Sequence, residues 1–241
     1  MRAAWLPALL LALALTGCES NIERSADLAK LAHHRRALQQ GLSIAHASSD
    51  VEVMSTTVLR GSEGVAAVVV QLRSRAQQAL RDVPIAITVK DASGKALYQN
   101  DTPGLEATLT SLASISAHGE ATWIDDQVQA TGAPASVSAT IGEAPATNGS
   151  LPQIEVEGLH PGEESATGGR NVAGTVRNRS GITQKSLVVY VLAKQGGKIA
   201  AAGRAQLAEV AAGASVPFQA FLVGSPSGGR LEASAPPTTL G

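Results

Sequence analysis

The side chains able to do chemistry in this chain are few. They are one cysteine, Cys18, five histidines (His33, His34, His46, His118 and His160) and two acidic pairs, Asp125-Asp126 and Glu163-Glu164. A metal site needs several ligands aimed at one point. On a helix His33 and His34 would point about 100° apart, and no second cysteine, methionine cluster or His-x₃-His spacing joins them. The histidines therefore read as solvated helix and loop residues. Neighbours on a strand face opposite sides, so Asp125 and Asp126 are not placed to share a substrate. Glu163-Glu164 sits among Gly and Ser and reads as a solvated loop. Neither pair has the regularly spaced carboxylates of a calcium loop. There is no Gly-x-Ser-x-Gly elbow for a nucleophile. Gly61-Ser-Glu-Gly64 and Gly168-Gly169 lack the lysine and helix of a phosphate loop. The expectation is no catalytic residue, no metal site, no cofactor and no enzyme.

Cys18 is different, because of what precedes it. Arg2 leads into the apolar run Ala3–Leu15, and Leu15-Thr16-Gly17 runs directly into the cysteine. A spanning helix needs about 20 apolar residues. The run is shorter than that and fits the h-region of an export signal, about 7–15 residues behind a positive start. Leu15-Thr16-Gly17-Cys18 resembles the lipobox of bacterial lipoproteins. That resemblance implies cleavage after Gly17 and a diacylglyceryl thioether on the Cys18 sulfur. A lone thiol in an exported chain calls for such an explanation, since no disulfide partner exists. One acyl chain holds a protein to a bilayer only marginally, and two or more hold it firmly.

Composition narrows the rest. Net charge is −1, which gives no basic surface for nucleic acid, and aromatics are 2% of residues, too few for stacking platforms. The chain after Gly17 is long enough for one or two domains at about 100–200 residues each.

Positioning then falls to one helix and many strands. Ser20-Asn-Ile-Glu23 has capping-box spacing and opens a helix over Glu19–Gln40, with Leu28, Leu31, Leu38 and Leu42 at near-helical spacing and Gly41 as its stop. From Val51 the pattern turns to short β-branched runs. Val51–Leu59, Val65–Leu72, Val83–Val89, a strand from Leu97-Tyr98, Ala121–Asp125 and Val137–Ile141 are expected in a first domain. Ile154–Val156, Val172–Val176, Ser186–Leu192, Lys198–Ala202, Ala205–Val210, Pro217–Val223 and a last strand at Arg230–Ala233 are expected in a second. The divisions are a signal peptide (1–17), an anchor and helical segment (18–49), a first β-sandwich (50–142), a linker (143–152), a second β-sandwich (153–235) and a tail (236–241).

The two halves read as a duplication. Arg73-Ser74-Arg75 falls on Arg177-Asn178-Arg179, and at the same offset Val83, Ile85 and Ile87 fall on Leu187, Val189 and Val191. Gly94-Lys95 meets Gly197-Lys198, and Trp123 and Phe218 follow as core aromatics. The second half, through Val172–Ser180, Leu187–Leu192, Gly196-Gly-Lys198 and Gly213–Phe218, resembles the FxLYD-type Ig-like domains of bacterial envelope lipoproteins. The Phe-x-Leu-Tyr-Asp string is absent, and the first half has Val70 and Thr122 where the second has Gly174 and Pro217.

The fold class expected is all-β: two Ig-like β-sandwich domains preceded by a signal peptide and a short N-terminal helix. The function expected is a lipid-anchored, non-enzymatic envelope protein. It would be held in the cell membrane or outer membrane through Cys18, on the extracytoplasmic side, and its sandwiches would bind or position a protein partner. The alternative is a transport-associated lipoprotein with a ligand site between the domains.

Overall fold

The structure is a computed structural model that describes residues 41–61, 64–162 and 170–241. Gly17, Cys18, the helix expected at Glu19–Gln40 and Glu163-Glu164 all lie outside the described residues. Among the described residues no helix is long and apolar enough to cross a membrane.

The fold is all-β and antiparallel throughout. The first half contains β1 (Val51–Arg60), β2 (Val65–Ser74), β3 (Leu80–Lys90), β4 (Ala96–Gln99), β5 (Ser111–Ile115), β6 (Glu120–Gln129) and β7 (Ser136–Ile141). The second contains β8 (Ile154–Pro161), β9 (Asn171–Asn178), β10 (Gln184–Gln195), β11 (Lys198–Val210), β12 (Ser215–Phe221), β13 (Val223–Gly224) and β14 (Arg230–Ser234). Each half is a sandwich of two sheets. β1-β2-β6 faces the sheet in which β3 pairs with β4, β5 and β7, and β8-β9-β12 faces the sheet β13-β11-β10-β14.

Strand for strand, the halves pair alike. Val70 opposite Trp123 in the first corresponds to Gly174 opposite Phe218 in the second. Ile87 opposite Ala139 corresponds to Val191 opposite Ala233, and Leu80 opposite Ile115 to Gln184 opposite Val210. The turn after β2 is held by the Ser74 hydroxyl, which accepts from the Ala76 N–H at 3.2 Å. After β9 the Asn178 carboxamide oxygen accepts from the Ser180 N–H at 3.0 Å. Arg75 pairs with Glu52 and Arg179 with Glu155 at matching places. Asp82 and Ser186, also matched, both take φ 50°, a step into the left-handed region inside a strand. Gly174 stands where the first half has Val70 because the Phe218 ring lies over it: a Cβ there would come within 2.9 Å of that ring.

The halves differ where β11 is continuous and its counterpart is split into β4 and β5, with Asn100–Thr110 inserted between them. Asn100, 1% exposed, supplies the missing edge. Its side-chain oxygen accepts from the Ile87 N–H, and its amide donates to the carbonyls of Ile85 and Leu109, each at 2.8 Å. A side-chain amide thus replaces a backbone ladder rung. Asn100→Ala leaves three buried backbone groups unpaired and is expected to cost about 3 kcal/mol, read by chemical denaturation.

Two strands explain how the sandwiches stack. In β10, Leu187, Val189, Val191 and Ala193 belong to the core of the second sandwich, whereas Val188, Tyr190 and Leu192 point the other way and pack against buried residues of the first half. In β2, the run Ala66–Val70 is buried without interruption, so both of its faces are covered. A strand covered on both sides loses the polar alternation of a half-solvated one. The sheets β1-β2-β6 and β13-β11-β10-β14 therefore pack back to back as the two inner layers of four. Residues read as a linker run along this body: the Arg81 backbone N–H donates to the Pro145 carbonyl at 3.0 Å and the Thr147 backbone N–H to the Ala79 carbonyl at 2.8 Å.

Candidate functional site

A buried polar cluster forms where β6 of the first sandwich meets β11 of the second. Asp125 and Asp126 stand on opposite faces of β6, as strand geometry requires. Asp125, fully buried, looks into the first sandwich. It accepts from the Tyr98 hydroxyl at 3.0 Å and from the Gln127 N–H at 2.9 Å. Asp126 looks into the junction and meets Arg204 in a two-point contact. Arg204 Nε donates to Oδ1 at 2.8 Å and the Arg204 backbone N–H to Oδ2 at 3.0 Å. The Arg204 side chain is only 6% exposed, and it donates again to the Thr108 hydroxyl at 2.9 Å. The register between β2 and β6 shifts here, between Ala66 and Val68. The shift is a local irregularity that re-aims side chains.

Burial is the main force on the titratable groups. It pushes the Asp125 carboxyl up, opposed by the hydrogen bonds from Gln127 and Tyr98 and by the charge of Arg204. Burial also pushes the Tyr98 phenol up, with the Asp125 charge adding to it, and burial pushes the Tyr190 phenol up. A carboxyl with a raised folded-state pKa stabilises the fold fully below its unfolded value, about 3.9. That contribution is lost as pH rises through the folded-state value. Asp125→Asn keeps an acceptor for Tyr98 and cannot ionise. Thermal melts from pH 3 to pH 8 are expected to show the variant above wild type at pH 7, with a flatter pH dependence.

Geometrically this cluster is a clasp. Its two carboxylates face away from each other, and its one guanidinium is used by Asp126 and Thr108, with the exposed Glu106 carboxylate 3.9 Å away. Sequence spacing identified the two aspartates but not Arg204 or Tyr98, which the fold brings in from distant strands. The described histidines stay apart: His46, His118 and His160 are exposed, His118 beside Gln77 at 3.3 Å and His160 over the Gly158 carbonyl at 2.7 Å. Among the described residues no three His, Cys, Asp or Glu side chains gather.

Cavities lie beyond the cluster or at its edge, beside Thr108. One of about 430 Å³, at one end of the second sandwich, is bounded by Pro161, Arg170, Asn171, Val172 and Leu231. Two smaller ones, about 270 and 160 Å³, open at the junction of the sandwiches on either side of Pro236.

No protein-family model and no curated protein matches the chain. Among solved structures it is similar to an exo-chitosanase of Amycolatopsis orientalis, at 13% identity and a TM-score of 0.26, over 75% of this chain and 25% of that one. It is also similar to red sea bream transglutaminase, at 12% identity and a TM-score of 0.21, over 91% of this chain and 32% of that one. The chain spans a third or less of either enzyme. Likeness this slight carries no argument about activity.

Proposed function

We propose that the chain is a lipid-anchored protein of the cell envelope, fixed through Cys18 after cleavage at Gly17, and that its paired sandwiches act as a non-enzymatic module that binds or positions a partner at the membrane surface. The observation that carries this reading is Leu15-Thr16-Gly17-Cys18 behind an apolar run too short to span a bilayer. The back-to-back sheets supply a stiff body, suited to holding a surface at a fixed place. Crosslinking in intact cells, followed by recovery from the membrane fraction, tests the interaction. A defined envelope protein is expected with the anchored chain, and recovery of none contradicts it.

The second reading, a transport-associated ligand-binding lipoprotein, draws on the cavity of about 270 Å³ beside Glu120, Ile154 and Pro237 at the junction. A metabolite and metal panel read by thermal shift separates the two. Large, saturable stabilisation by one compound favours the second reading.

A further inference from the structure

Residues 235–239 follow the last strand and lie across the junction, touching both sandwiches. The Ser114 hydroxyl of β5, 1% exposed, donates to the Pro237 carbonyl at 2.8 Å. Gln184 of β10 is fully buried, and its carboxamide reads the backbone of the next two residues. Its oxygen accepts from the N–H groups of Thr238 at 2.9 Å and Thr239 at 3.1 Å, and its amide donates to the Thr239 carbonyl at 3.0 Å. The Thr238 hydroxyl adds a bond to the Lys185 carbonyl at 2.6 Å.

This is how proteins hold extended peptides: main-chain bonds supply affinity, and prolines supply a segment that is extended before it binds. Buried polar groups without partners are costly, and Gln184, whose amide also donates to the Ile182 carbonyl at 3.2 Å, draws its remaining hydrogen bonds from the tail backbone. The groove is also larger than its occupant. Cavities of about 270 and 160 Å³ continue it on the two sides of Pro236.

We infer that the junction between the sandwiches is a peptide-binding groove, occupied in cis by Ala235-Pro-Pro-Thr-Thr239, and that it takes an extended, proline-containing segment of a partner protein when that occupant leaves. The inference deepens the reading of the chain as an interaction module and rests on it in that respect only.

The experiment uses the full chain after Gly17 with Cys18→Ser, so its outcome is independent of lipid attachment. Pro237→Gly and Thr238→Pro weaken the cis occupant, removing the Thr238 N–H and hydroxyl that meet Gln184 and Lys185. The probe is a fluorescein-labelled peptide, Ser-Ala-Pro-Pro-Thr-Thr-Leu, followed by anisotropy. Saturable one-to-one binding is expected to the variant. Wild type, its groove filled, is expected to show none at the same concentrations. Adding Gln184→Ala is expected to weaken binding about tenfold, and a peptide with glycine for both prolines is expected to bind more weakly. If the variant is unfolded alone, the same titration is followed by circular dichroism, and recovery of the β signal supports the groove. A folded variant that ignores the peptide, binding indifferent to Gln184→Ala, or an unfolded variant the peptide does not restore each overturns the inference.

Discussion

Arg204→Ala is expected to destabilise the protein by about 3–5 kcal/mol, the cost of removing one partner from a buried ion pair. Asp126, with its side chain 16% exposed, would keep its charge in the junction and lose the Nε donor at 2.8 Å. The Thr108 hydroxyl would lose its donor as well. Arg204→Lys keeps the charge but not the forked geometry that reaches Asp126 and Thr108 together, so it should fall between wild type and alanine. Replacing both Arg204 and Asp126 by apolar residues of similar volume should recover part of the loss, because Asp126 no longer leaves a charge in the junction, while Asp125 still loses the favourable charge of Arg204. Urea denaturation of the single and double variants gives the coupling energy directly, and a coupling near zero would mean that the clasp does not join the sandwiches. Wild type is expected to unfold in one transition, since Val188, Tyr190 and Leu192 of the second half pack in one continuous cluster with the buried residues of the first.

Cys18→Ser should move the protein from the membrane fraction to the soluble fraction with its fold unchanged. Each buried CH₂ of an acyl chain contributes about 0.8 kcal/mol, so losing two or three chains at once removes nearly all membrane affinity. Thermal melts of the released variant should match those of the anchored protein, because the sheets and both cores lie beyond residue 50. Fractionation after cell disruption reads the first outcome. Labelled fatty acid entering the serine variant would contradict the assignment of the anchor to this residue.

The strands were legible because alternation and burial coincide. Val83, Ile85, Ile87 and Val89 are buried and their neighbours less so, as the period predicts. Ser111–Ile115 was missed because Ser114, which binds the tail, takes an inward position where an apolar residue would signal a strand. The expected break between Lys198–Ala202 and Ala205–Val210 is absent, since β11 runs through Gly203. There a Cβ would collide with the Phe221 carbonyl, so that glycine marks close backbone approach and not a turn. Back-to-back packing left a trace in the unbroken apolar run of β2, but its partner sheet could not be read from it. The tail was least legible. Proline and threonine read as loop, and only the fold brings Gln184 and Ser114 to meet them.

The intact mass of the native protein purified from membranes decides whether Cys18 carries a lipid anchor. The expected mass is that of a chain beginning at Cys18 plus a diacylglyceryl group, with or without a further acyl chain on its amine. An unmodified mass, or a chain that retains Met1–Gly17, would contradict it.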